Sequence, residues 1–313
     1  MNQYKSRPTD PAKLAMRRIV RMLNLLALPV REKSSLLAEA KDPGWRRRYL
    51  RTRLHKIPYE RFIGACGFLL RPKPTLVTDR AWQTLIVLDA CRWDSFHSVF
   101  GNLGYGGKWT LDSITSPASN TQGWIRRNFV INRRKETLRD VIVVSTNPYL
   151  SQGYFDMQGW EFPFHSSRDL WKTGWDERLQ TVLPEVVVET GLSLALGGKR
   201  MIIHFLQPHE PYIEYPELTE TFYRLDQGSI PIASAREAYQ SNVRIALESA
   251  LKLAASLRGP VVITSDHGEL FGEYGLYGHP PGVHVPELIR VPWLELQGRE
   301  AEPRELAEEA LDE

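Results

Sequence analysis

Gly259-Pro260-Val261-Val262-Ile263-Thr264-Ser265-Asp266-His267-Gly268 is the stretch that decides the architecture. Gly259-Pro260 closes one helical pattern and opens a strand, and the β-branched run then delivers a carboxylate and an imidazole side by side. A continuous apolar run of this kind suits a strand buried on both faces of a helix-covered parallel sheet. Upstream, Val243, Ala246, Leu247, Ala250, Leu251 and Ala254 recur at helical spacing, which predicts a helix over Ala235–Leu257. Before that helix comes another compact run, Met201-Ile202-Ile203, and earlier still lie Leu85–Leu88 and Val141–Val144. Strand–helix–strand order predicts an α/β sandwich, a mostly parallel central sheet with helices on both faces.

In open α/β sheets, ligands gather at the carboxyl ends of strands. Leu85–Leu88 leads to Asp89, and the run ending at Ser265 leads to Asp266 and His267. Two carboxylates and an imidazole make an O,O,N set for one divalent cation, with zinc, manganese, calcium and magnesium all open. Singly, each aspartate reads as a turn or cap residue; together they point to metal. Ser265, Asp266 and His267 do not read as a serine-protease-type triad. Neighbours on a strand end point in different directions, and a triad needs three converging side chains.

Charge divides the chain. Residues 1–70 hold 16 Lys and Arg against 5 Asp and Glu, a net of +11, so the remainder carries −8. Helical residues 11–28 with their arginines, and five arginines within Trp45–Arg53, make a basic extension expected to run over 1–78. Such a head suits an anionic partner, either a membrane surface in peripheral contact or a glycan; a solvated helix is the plain alternative. No nucleic-acid module is legible, so nucleic acid is not an expected partner. A catalytic domain is expected over 79–299, with an acidic tail over 300–313. The apolar run Met22–Val30 is too short to span a bilayer and is followed directly by Arg31, Glu32 and Lys33, unlike a cleavable signal. A cytoplasmic placement is therefore expected. With two cysteines, Cys66 and Cys91, a disulfide framework is not.

Four segments in order then carry a resemblance. Leu88-Asp89-Ala90-Cys91-Arg92-Trp93-Asp94 comes first, followed by His204-Phe205-Leu206-Gln207-Pro208-His209-Glu210-Pro211-Tyr212. The third is Thr264-Ser265-Asp266-His267-Gly268-Glu269 with Gly272-Glu273-Tyr274-Gly275-Leu276-Tyr277-Gly278-His279, and the fourth is Pro286–Trp293. Together they resemble sulfatase-like enzymes of the alkaline phosphatase superfamily over about residues 80–296. The resemblance implies an alkaline-phosphatase-like sandwich and action on a phosphate or sulfate ester. It also implies a metal held by Asp89, Asp266, His267 and a nucleophile, with His209 and His279 at the substrate. The nucleophile belongs in Ser116–Ile125, at a helix start where free N–H groups help bind an anion. Thr121 is the first choice and Ser119 the second, against helix capping as the alternative role.

Two departures narrow this reading. The Cys/Ser-x-Pro-x-Arg pattern of sulfatases proper is absent, which favours phosphate esters. The extra Asp-x-x-x-His pair of two-metal members is also missing, which favours one metal. Arg92 reads either as an anion clamp or as the partner of Asp94, and His284 as a possible ligand of a second ion. His55, His97 and His165 carry no assigned role. The expected activity is hydrolysis of an anionic ester through a covalent threonine. Transfer onto a glycan or lipid head group, with Trp160, Trp171 and Trp175 near an acceptor, and non-catalytic anion binding are the alternatives.

Overall fold

The computed structural model describes residues 59–298. The 11–28 helix, the Trp45–Arg53 arginines, His55 and the 300–313 tail lie outside the described residues. The chain divides into a unit Met1–Phe62 and a unit Ile63–Glu313, and the sheet and site belong to the second.

Eleven strands are described: β1 Thr84–Asp89, β2 Trp109–Thr115, β3 Ile142–Ser145, β4 Ser166–Asp169, β5 Trp175–Asp176, β6 Thr181–Val182, β7 Met201–Pro208, β8 Pro260–Ser265, β9 Leu270–Phe271, β10 Tyr277–Gly278 and β11 Arg290–Gln297. Seven form the main sheet in the order β2-β11-β8-β1-β7-β3-β4. The five from β8 to β4 run parallel, while β11 is antiparallel to both of its neighbours. The sheet is thus mostly parallel and helix-covered, as the apolar runs require. β1 sits between β7 and β8, so the first strand in sequence ends up central.

Both faces of the central strands are covered. Ile86, Leu88, Val144, Ile203 and Phe205 share a core with the helix Ile232–Ala254. Leu85, Val87, Val143 and Ile202, pointing the other way by strand alternation, are equally buried. The helix puts Ala235, Ala238, Tyr239, Asn242, Val243, Ala246, Leu247, Ala250 and Leu251 inside, a stripe of three- and four-residue steps. It begins three residues before the expected Ala235, because Pro231 occupies the N-cap and starts it early. It ends at Ala254, and the chain has turned by Gly259, whose φ of +71° suits glycine.

The run from Pro286 splits into a one-turn helix, Pro286–Ile289, and β11. Gly268 fixes their approach: a Cβ there would lie 2.0 Å from the Glu287 carbonyl oxygen, and its N–H donates to Leu288 O at 2.8 Å. Among the described residues, no helix is long and apolar enough to cross a membrane.

Candidate active site

The strand ends are bonded to one another before any ligand enters. Pairing with β7 slips in register between Leu88 and Asp89, and Ala90 follows with a φ of +60°, an uncommon value for a residue with a side chain. Tyr239 from the long helix holds that turn: its hydroxyl donates to Ala90 O at 2.7 Å and accepts from Arg92 N at 2.8 Å. Cys91 N donates to Ser265 Oγ at 2.9 Å, joining the turn after β1 to the end of β8. His209 N donates to Asp89 O at 3.1 Å, and Asn242 secures the same loop by donating to His209 O and Pro211 O.

Each carboxylate then has one oxygen fixed and one left over. Asp266 Oδ1 accepts from Ala90 N at 3.1 Å and His267 N at 2.9 Å. Its Oδ2 is buried with no partner among the described residues. Asp89 Oδ2 accepts from Asn147 Nδ2 at 2.9 Å, while Oδ1 lies 3.7 Å from His267 Nε2. His267 Nδ1 is 2.8 Å from Gly268 O. A carbonyl only accepts, so Nδ1 carries the proton and Nε2 presents a lone pair. That lone pair is 3.3 Å from Asp266 Oδ2 and 3.1 Å from Thr121 Oγ1. Acceptors facing acceptors in a dry pocket are unfavourable unless a positive charge lies among them. The donor set fits a divalent cation.

Thr121 is the first residue of the short helix Thr121–Ile125, and the capping role belongs to its neighbour. Asn120 Oδ1 accepts from Gly123 N at 3.3 Å, which leaves the Thr121 hydroxyl to the His267 ring. Ser119 is engaged elsewhere, donating to Pro280 O and accepting from Gly282 N, and Ser116 bonds to the Asp266 carbonyl.

A second group of side chains adjoins the first. His279 lies 4.5 Å from His267 and 5.2 Å from His209, ring centre to ring centre. Its Nδ1 is 2.9 Å from Glu269 Oε1. Ligand atoms of His209, Glu269 and His279 lie within 4.8 Å of one another, as do those of Asp89, His204 and Asp266.

The electrostatics differ sharply between neighbours. Burial, reinforced by the Asp266 charge, pushes the Asp89 carboxyl well above the carboxylate range. Burial and then the His279 charge hold His267 well below the ordinary histidine value. Burial brings His204 down to about 4 against the opposing pull of Asp266. In His279 burial also acts downward, but the Glu269 carboxylate outweighs it and raises the group to about 9. At neutral pH, His267 is a neutral donor and His279 a cation.

The placements of Arg92, His204, Glu269, His284 and Trp160 differ from, or add to, the sequence reading. Arg92 takes the structural arrangement of its two: Nε and Nη2 donate to Asp94 at 2.8 and 2.7 Å, while Nη1 donates to Glu273 and Glu269 O. It braces the 269–273 turn. His204 and Glu269 had no assigned role, yet both are fully buried beside the site. The placement of His204 four residues before Pro208, inside an apolar strand, is its only signal. His284 packs on Phe68, ring centroids 5.6 Å apart, rather than joining either group. Trp160 belongs to an aromatic cluster with Tyr154 and Phe155.

No family model matches this sequence, and no curated protein does. Solved structures do. The soluble domain of lipooligosaccharide phosphoethanolamine transferase A from Neisseria meningitidis superposes with a TM-score of 0.51 at 17% identity. The match covers 72% of this chain and 78% of that one. This is the alkaline-phosphatase-like fold. The integral membrane protein of the same name has a TM-score of 0.51 at 16% identity, covering 73% of this chain and 49% of that one. The C-terminal periplasmic domain of a phosphoethanolamine transferase from Campylobacter jejuni has a TM-score of 0.47 at 15% identity, covering 68% and 77%. These matches overturn the expected cytoplasmic placement. Two structures similar to this chain are the soluble domain and the whole of one integral membrane protein, whose name places it in a membrane. A short apolar run near the N-terminus was too weak a signal for placing the chain.

Proposed function

We propose that this chain is a metal-dependent enzyme that breaks a phosphoester through a covalent phosphothreonine at Thr121, passing the phosphoryl-linked group to water or to an acceptor hydroxyl. The observation that carries it is the Thr121 hydroxyl, 3.1 Å from a neutral His267 Nε2 that also faces the unpartnered Asp266 Oδ2. Asp89, Thr121, Asp266 and His267 would hold one divalent ion. When bound, the ion neutralises ester oxygens and lowers the pKa of the nucleophilic hydroxyl.

The chain's own groups do the rest. Thr121 Oγ1 loses its proton to solvent and forms a bond to phosphorus while the bond to the leaving oxygen breaks. His279 is a cation at neutral pH because Glu269 stands against its Nδ1; it supplies the proton the leaving oxygen needs. Water or an alcohol then attacks the phosphothreonine, His279 takes back a proton, and Thr121 is released. His209, whose backbone N–H is tied to Asp89 O, is held beside His279 for the non-bridging oxygens. Asn147, Ala90 N–H and Tyr239 keep the carboxylates and turn in place, so little reorganises during the reaction.

Transfer is favoured over hydrolysis by one observation: two matched solved structures, each with a TM-score of 0.51, carry the name of a phosphoethanolamine transferase. An anionic, lipid- or glycan-linked ester is the substrate class this suggests. The test is to incubate full-length protein with Mn²⁺ or Zn²⁺ and aryl phosphate or phosphodiester, with and without an acceptor alcohol, then quench. Phosphothreonine at Thr121, and an alcohol-dependent product, are expected. Unchanged turnover in both Thr121→Ala and Asp266→Ala would sink the assignment.

A further inference from the structure

A group of basic side chains beyond the site has no assigned use. Helical residues 63–70 lie directly on the 282–284 loop: a Cβ at Gly64 would be 2.5 Å from Gly282 O, and one at Gly67 2.5 Å from His284 O. This contact brings Arg71 and His284 to one aromatic ring. The Arg71 guanidinium carbon stands 4.2 Å from the centre of the Phe68 ring, and the same ring meets His284 edge-on at 5.6 Å. Arg71 Nη1 and His284 Nδ1 are both buried without a hydrogen-bond partner among the described residues.

Arg127 comes from the other side. It lies in Arg126–Val130, a π-helical turn that continues directly from Thr121–Ile125. Such widened turns are rare and recur at functional sites. Burial and then the Arg127 charge lower Arg71, and burial followed by Arg71 lowers His284. The charges that bear on Arg71 and His284 among the described residues are therefore cations. Elsewhere, partly buried guanidinium groups are paired: Arg92 with Asp94 and Glu273, Arg200 with Asp140. Two like charges, Arg71 and Arg127, beside a buried His284 Nδ1 with no partner among the described residues are unfavourable unless an anion joins them.

The cluster adjoins the reacting hydroxyl through covalent and hydrogen-bonded links. Ser119, two residues before Thr121, accepts from Gly282 N and donates to Pro280 O, and Gly282 is two residues before His284. We propose that Arg71, Arg127 and His284 form an anion subsite that takes a second phosphate group, one that does not react at Thr121. The inference deepens the proposed phosphoester chemistry and rests on it for the word "second". It makes the substrate or acceptor a molecule bearing two phosphates. The second phosphate comes from a soluble diphosphorylated compound or from a lipid headgroup, whose chains would meet the exposed Leu69 and Leu70.

The experiment is calorimetric titration of inorganic phosphate into the full-length, metal-loaded chain, comparing wild type with Arg71→Gln and Arg127→Gln in a Thr121→Ala background. Affinity at the subsite should fall about tenfold in each variant, the effect of losing one charge-assisted hydrogen bond. In chains with Thr121 intact, KM for an aryl monophosphate should not move. Equal phosphate affinity in wild type and Arg127→Gln overturns the proposal; Arg127 is exposed, so its replacement does not threaten folding. Vesicles of phosphatidylglycerol and of phosphatidylcholine separate the sources. Arg127-dependent binding to the first alone assigns a lipid headgroup, and phosphate binding without vesicle binding assigns a soluble ligand. If no ester is turned over, the phosphothreonine reading fails, yet the Thr121→Ala titration still reports on the subsite.

Discussion

Two charged clusters sit either side of the same turn, and they are built on opposite plans. Around Arg92 each guanidinium nitrogen has an acceptor: Asp94, Glu273 and the Glu269 carbonyl take its N–H groups, and Arg236 adds a second cation to Glu273. Around His267 the fixed donors satisfy one oxygen of each aspartate, and what remains is two carboxylate oxygens, an imidazole lone pair and a hydroxyl. The first cluster is complete within the protein. The second needs a cation from outside. The difference teaches where to look for chemistry: a satisfied network holds the fold, and a convergent set of unsatisfied acceptors holds a ligand.

The largest effect should come from breaking the incomplete cluster. Thr121→Ala is expected to lower turnover roughly 10⁴-fold, as loss of a nucleophile does, with the melting temperature nearly unchanged. Steady-state rates with calorimetry on the same samples check it. Breaking the complete cluster should do the reverse. Arg92→Gln takes from Asp94 its partner and leaves Glu273 with Arg236 alone, and should cost roughly 2 kcal/mol of stability while the chain keeps its metal, read by denaturant titration and metal analysis.

Between these lies His204, buried at the edge of the incomplete cluster with neither ring nitrogen partnered. Its pKa is lowered from 6.5 to about 4. The unfolded chain therefore binds a proton that the folded one refuses. Stability from this group is full above pH 6.5 and is lost as pH falls toward 4, by at most about 3 kcal/mol. His204→Asn should flatten that part of the curve, seen by urea unfolding at pH 7 and 4.5; an unchanged slope would remove His204 from the account.

A smaller effect concerns rate. His279, held up to about 9, should keep its proton through neutrality, and kcat/KM should fall on the alkaline side near that value. Glu269→Gln removes the largest favourable influence and should move the alkaline limb to lower pH, by about a tenfold rate loss at pH 8.5. The smallest effect is at the surface. Arg139, paired with Glu136 and Glu161 in solvent, should be replaceable by Ala with no measurable change in melting temperature.

Much of this was legible in the chain because it is local. The β-branched runs of β1, β3, β7 and β8 are continuous in sequence, and a run buried on both faces must be apolar throughout. Asp89 and Asp266 were found by standing where such runs stop. The choice of Thr121 over Ser119 came from its place at a helix start, and the contacts that separate the two reach across the fold. Thr121 and His267 are 146 residues apart, Ser119 and Pro280 161. The role of His204 could not be read, since one imidazole in an apolar strand gives no hint of which strand end it will face.

Composition and pattern by themselves determined a mostly parallel sheet, its strand ends, and the residue types offered there. Tertiary structure decided the partners: that Arg92 braces rather than clamps, that Glu269 charges His279, and that Arg71 and His284 share the Phe68 ring. The physical reason is range. Burial periodicity is encoded over a few neighbouring residues, whereas the protonation and pairing of a side chain depend on charges and carbonyls brought within a few ångströms by the whole fold.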